Sequence, residues 1–93
     1  MNTIDYKTMG TCASQVHVEI DDEGIIRDVR FTNGCSGNTQ GVSRLAIGRP
    51  ATEVADQIRG IKCGFKPTSC PDQLSIAIDK LLVKMRKEKA AEN

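Results

Sequence analysis

The hydrophobic periodicity of this chain changes once, at Gly34, and that switch limits the folds open to it. Before Gly34, Val16, Val18 and Ile20 alternate with Gln15, His17 and Glu19, the two-residue period of a half-buried strand. Asp22-Glu23-Gly24 is a turn signal, and a second strand is predicted over 25–32 with Val29 and Phe31 on one face. The two runs form an antiparallel hairpin. Ile25-Ile26 interrupts the alternation, which predicts a bulge or a change of face there. A third strand is predicted over 4–9.

After Gly34 the spacing becomes helical. Val42, Leu45 and Ala46 define a helix over 39–47 with Gly48 as its stop. Pro50 opens a short second helix that turns Val54, Ala55 and Ile58 inward and closes at Gly60. Residues 60–69 are irregular. The last helix has Pro71 in its first turn, Asp72 at the positive end of its dipole, and an apolar stripe of Leu74, Ala77, Ile78, Leu81, Leu82 and Met85. This order predicts an α+β domain, a small antiparallel sheet covered on one face by three helices. In 93 residues there is room for one core. It spans 1–83, and a charged tail over 84–93 is expected to fray. Only 3% of residues are aromatic, so Ile, Val, Leu and Ala must fill the interior.

Four cysteines, Cys12, Cys35, Cys63 and Cys70, are separated by 22, 27 and 6 residues. No pair has the C-x-x-C spacing of common zinc ribbons, so a shared site would have to be assembled by the fold. With no secretory signal at the N-terminus, the chain reads as cytoplasmic, where thiols stay reduced. Three readings follow: a metal site, a redox site, or four unrelated buried thiols. A core cysteine normally sits within an apolar stripe, whereas these four fall in loops or at element ends, which favours a site. Cys35 and Cys70 precede predicted helix N-termini, where unpaired N–H groups and the dipole stabilise a thiolate. Gly37, in Ser36-Gly37-Asn38, allows close backbone approach to a ligand. Thiolate sulfur selects zinc, copper(I) or iron–sulfur centres, and a four-thiolate site would staple a core short of aromatics.

Other chemistries are poorly served. Thirteen basic and twelve acidic residues leave a charge of +1, which argues against nucleic acid or an anionic membrane as partner. The 34–37 loop has an anion-binding setting, but it lacks a longer glycine fingerprint and a following Lys, so nucleotide binding is a minor reading. His17, the sole histidine, reads as a solvated strand residue. The basic run from Lys80 to Lys89 is interleaved with acid and reads as a solvated helix face.

At Thr68-Ser69-Cys70-Pro71-Asp72 the sequence resembles the TSCPD-domain family, named for those five residues. The resemblance extends to Gly34-Cys35-Ser36-Gly37-Asn38, Gly41, Gly60-Ile61-Lys62-Cys63-Gly64 and Gln73-Leu74. It implies a stand-alone member whose four cysteines, Cys12, Cys35, Cys63 and Cys70, bind metal. The same domain is appended to vitamin B12-dependent ribonucleotide reductases, which implies a link to DNA precursor synthesis and a reductase as protein partner. Reductase catalysis needs a barrel, a cobalamin site and a nucleotide pocket, more than 93 residues can hold. An accessory or interaction module that is not catalytic alone is therefore the expectation.

A second, more distant resemblance is to the U-type iron–sulfur assembly scaffolds, which implies a similar architecture with Cys12, Cys35 and Cys70 as ligands. Ser14 stands where that family has an aspartate, and Cys63 is additional. A fourth thiolate closes the coordination shell and favours a tight structural metal, with zinc first and iron or an iron–sulfur cluster second. Ser14, Gly37, Asn38 and Asp72 are the candidates for a supporting shell. Two alternatives remain: an iron–sulfur scaffold or carrier, and a thiol–disulfide protein using Cys63 and Cys70.

Overall fold

Three strands, β1 (Asn2–Lys7), β2 (Ala13–Ile20) and β3 (Ile26–Asn33), form one antiparallel sheet in the order β1-β2-β3. Three helices follow: α1 (Ser36–Ala46), α2 (Ala51–Ile58) and α3 (Cys70–Glu92). This computed structural model describes residues 1–11, 13–33, 36–62 and 68–92, with 36–38 and 90–92 as backbone. The architecture is α+β, as the change of period requires.

The register puts rows of side chains on opposite faces. Ile4, Val18 and Val29 are paired across the three strands, as are Tyr6, Val16 and Phe31. These rows face the helices. Val16, Val18 and Ile20 are fully buried, and Ile4, Tyr6 and Phe31 pack at the margin of the core. The opposite face carries Asp5, His17 and Arg30 in one row and Thr3, Glu19 and Asp28 in the next. The register shifts between Glu19 and Ile20, because Ile20 pairs with Ile26 while Glu19 pairs with Asp28. Arg27 is the extra residue. The bulge expected around Ile25-Ile26 is therefore present, and it lets both Ile26 and Val29 point inward.

The hairpin between β2 and β3 is built on Asp21. Its Oδ1 accepts the backbone N–H groups of Glu23 (2.9 Å) and Ile25 (3.0 Å), and its Oδ2 accepts from Arg27 Nε at 2.7 Å. These donors hold the carboxyl below its usual range, the Ile25 N–H contributing most. Gly24 takes the left-handed conformation the turn demands (φ 86°). The connector between α1 and α2 then docks on the same corner. Gly48 N–H donates to the Ile26 carbonyl (2.8 Å), Ile26 N–H to the Arg49 carbonyl (3.0 Å), and Ala51 N–H to the Gly24 carbonyl (2.8 Å). Three backbone bonds thus seat α2 against the end of the sheet.

Helix α3 supplies the largest apolar surface. Leu74, Ala77, Ile78 and Leu81 are fully buried, while Leu82 and Met85 pack at the edge. Three expectations need correction. Leu45 is 72% exposed, because α1 is rotated so that Val42 and Ala46 meet the core, and Leu45, about 100° around the helix from Ala46, falls on the solvent edge of that stripe. Pro50 precedes α2 at its N-cap with φ −59° and ψ 131° rather than opening the helix. The 84–93 tail does not fray at Lys84, since α3 continues to Glu92; its lysines, arginine and alanines are good helix formers and extend an already nucleated helix at little cost.

Replacing Leu74 with Ala should remove about 2–5 kcal/mol of stability, the range for a core leucine truncation. Leu45→Ala should change it by less than about 0.5 kcal/mol, as expected for a surface substitution. Urea unfolding of the two variants, followed by circular dichroism, checks the contrast.

Candidate functional site

The start of α3 gathers several chain segments. Ser69, 3% exposed, is the N-cap: its Oγ accepts the Asp72 N–H at 3.1 Å and donates to the Ile61 carbonyl at 2.6 Å. Pro71 lies in the first turn, where a missing N–H costs nothing. Asp72 Oδ1 accepts the Gly60 N–H at 2.7 Å, and its Oδ2 accepts the Thr68 hydroxyl. One carboxylate therefore ties the exit of α2 to the entrance of α3. Gln73 reaches the third segment. Its Nε2 donates to Thr68 Oγ1 (3.0 Å), and its Oε1 accepts the Met9 N–H (3.2 Å) in the loop between β1 and β2.

That loop is held close by two further features. Gly10 has φ 75°, and a Cβ there would lie only 3.0 Å from Thr68 Cγ2. The hydroxyls of Thr8 and Thr11 both donate to the Ala13 carbonyl. Ala13 in turn pairs with Asn33, whose Nδ2 donates to Ser14 Oγ at 3.1 Å, while Ser14 Oγ donates to the Thr32 carbonyl at 3.2 Å. Asn33 has φ 61°, a backbone conformation that asparagine tolerates better than most residues.

Cys70 is the first residue of α3 and is 5% exposed. Cys12, Cys35 and Cys63 lie outside the described residues. Of the described residues near them, Met9 is bonded to Gln73 and Ile61 to Ser69 at the entrance of α3, while Ala13 pairs with Asn33 at the ends of β2 and β3. Ser14 is exposed and engaged with Thr32 and Asn33. Gly37 and Asn38 belong to the first turn of α1. Asp72 has both oxygens occupied by Gly60 and Thr68, so it acts as a fastener of the α3 entrance.

A second cluster stands on the open face of the sheet. The His17 ring lies between two carboxylates, with Nδ1 2.7 Å from Asp5 Oδ1 and Nε2 2.8 Å from Glu19 Oε2. Asp28, directly across from Glu19, completes a group in which one ligand atom each from His17, Glu19 and Asp28 lies within 4.8 Å of the others. Arg30 Nε pairs with Asp28 Oδ2 at 2.7 Å. The hydrogen bond to Glu19 contributes most to raising the His17 pKa above its ordinary value; burial opposes it, and the hydrogen bond to Asp5 adds to the rise. The sequence reading of His17 as a merely solvated residue is thus revised, for its side chain is 24% exposed and bonded on both nitrogens. His17 and Glu19 at alternate positions were a visible signal. The contributions of Asp5 and Asp28 depend on strand register.

The TSCPD-domain profile matches residues 2–82. The chain belongs to the TSCPD-domain family. No curated protein and no solved structure matches it at significance. The TSCPD match begins in β1 and ends in α3, so the three-stranded sheet, both short helices and the buried stripe of α3 all lie within it. The signature itself has a physical reading: Thr68 and Asp72 brace each other, Ser69 caps, Cys70 starts the helix and Pro71 lies in its first turn. Among the described residues no helix is long and apolar enough to cross a membrane.

Ser69→Ala should cost about 0.5–2 kcal/mol, the range for losing an N-cap, measurable by urea unfolding. In the metal-free protein, the raised His17 pKa means its contribution is fully present below about 6.5, the unfolded value. That contribution is lost as pH rises through the higher folded value. The difference in Tm between the native chain and His17→Gln should therefore be largest under mildly acidic conditions and shrink toward alkaline pH. A difference that grows with pH would contradict the ion-pair geometry.

Proposed function

We propose that this TSCPD domain binds one metal ion, zinc in the first instance and iron in the second, through the thiolates of Cys12, Cys35, Cys63 and Cys70. In this reading it serves as a metal-stabilised accessory module that docks on a protein partner in ribonucleotide reduction. It is not catalytic alone, and it works in the cytoplasm, where thiols remain reduced. The observation that supports the reading is that the β1–β2 loop before position 12 and the chain before position 63 are both bonded to the N-terminal end of α3, where Cys70 stands. Cys70 adds to it. It is buried in the first turn of α3, and its burial suits a closed structural site better than an exchange-active one.

Energetics point the same way. The described core has no fully buried aromatic side chain, and Tyr6 and Phe31 sit at its margin. A small aliphatic core gains from a cross-link, and at structural metal sites binding free energy is folding free energy. Ser14, Gly37 and Asn38, close in sequence to Cys12 and Cys35, would support the ligand loops. Asp72 would do so indirectly by fixing the turn that carries Cys70.

Elemental analysis of protein purified anaerobically without added metal, with a count of reactive thiols, tests this. About one zinc per chain with thiols masked is the expected result for a four-thiolate site. Each single Cys→Ser variant should lose metal and stability to a similar degree. Iron with visible absorbance and a silent Cys63→Ser would replace this reading with the iron–sulfur scaffold. A reversible Cys63–Cys70 disulfide without metal would replace it with thiol redox chemistry.

A further inference from the structure

The open face of the sheet carries a donor set that the cysteine reading does not use. His17 and Glu19 are two residues apart on β2 and so share a face. Asp28 pairs with Glu19 across β3, and Asp5 pairs with His17 across β1. The imidazole is used asymmetrically. Nε2 lies 2.8 Å from Glu19 Oε2, while Nδ1 is held by Asp5 at 2.7 Å. A carboxylate on the far nitrogen is the arrangement that fixes tautomer and ring orientation in histidines that ligate metal.

From this geometry we infer that His17 Nε2, Glu19 and Asp28 form a divalent transition-metal site of the zinc class on the sheet's open face, with Asp5 as the positioning residue. Ligands 2.0–2.2 Å from zinc are at most about 4.4 Å apart. The three donor atoms already lie within 4.8 Å of one another, so closing on an ion takes only small side-chain rotations. The mixed set of one imidazole and two carboxylates suits zinc and its first-row neighbours better than calcium or magnesium, which take oxygen donors alone. Arg30 engages Asp28 through one oxygen, Oδ2, and a carboxylate has a second oxygen to offer.

Charge balance agrees. Asp5, Glu19 and Asp28 bring three negative charges to this patch, against Arg30 and, when it is protonated, His17. A divalent ion would offset the remaining excess. The side chains of His17, Glu19 and Asp28 are 24%, 29% and 24% exposed, so a bound ion would keep solvent-facing positions filled by water. Three protein ligands with an open position are the pattern of an exchangeable site. It lies on strands β2 and β3, away from the α3 entrance, and does not depend on whether the thiols hold a metal.

His17 is the sole histidine, so its ring signals in proton NMR need no disentangling. Zinc chloride titrated into the purified full chain slightly above neutral pH should move those signals in a saturable manner. Asp5→Ala should weaken the midpoint about 10–100-fold, the usual effect of losing a carboxylate that orients a ligating histidine. The Glu19→Gln, Asp28→Asn double variant should abolish saturation while leaving the thiol count unchanged. Ring signals that stay fixed in a large excess of zinc would overturn the site. So would an unchanged midpoint in the double variant, since the ion would then be held by a lone imidazole. Zinc taken up with thiols masked but the ring unmoved would leave the cysteine reading standing and sink this one alone.

Discussion

The Asp72 carboxylate joins Gly60 to Thr68 across the entrance of α3, and much of the molecule is positioned by that link. Helix α3 carries the widest buried stripe, so its starting point and direction decide how α2 and the sheet can pack. A carboxylate accepting a backbone N–H and a hydroxyl, beside a serine cap and a glutamine reaching the β1–β2 loop, draws three distant segments to one helix end. Such polar clamps are worth little apiece in water, but buried groups left unpaired would be costly. Once α3 is seated, the satisfied network permits only one arrangement of its neighbours.

Much of the fold was legible because periodicity and burial agree. Val16, Val18 and Ile20 had to share a face. Leu74, Ala77, Ile78 and Leu81 had to line one helix, and Gly24 and Gly48 adopt the left-handed conformations their turns require. Leu45 was misplaced because a short helix with few apolar residues leaves its inward direction open, and contact with β3 decides it. Helix α3 persists past Met85. Apolar patterning ends there, but helix propensity and an existing nucleus do not.

The two candidate sites differ in how they could be read. Thr68 to Asp72 form a contiguous signature that was visible in the sequence, while the capping by Ser69 and the bracing by Asp72 emerge only from the folded hydrogen bonds. The open-face cluster draws on β1, β2 and β3, and no local motif joins Asp5 to His17 or Glu19 to Asp28. Only antiparallel register brings them together. Register is itself set by the buried rows, because a slip of one residue would exchange the valines for charged groups. The inner face therefore determines what the outer face presents.

The length of α3 has a consequence for motion. Twenty-three residues make a helix of roughly 35 Å, and the protein measures 45 × 22 × 21 Å. A rod of that length fits only along the long axis. Rotational diffusion must then be anisotropic, faster about the helix axis than end over end. Amide N–H bonds of α3, nearly parallel to that axis, will report the slow tumbling, while bonds across the axis will sense the fast spin as well. Spin relaxation would thus trace the direction of one helix through the whole domain.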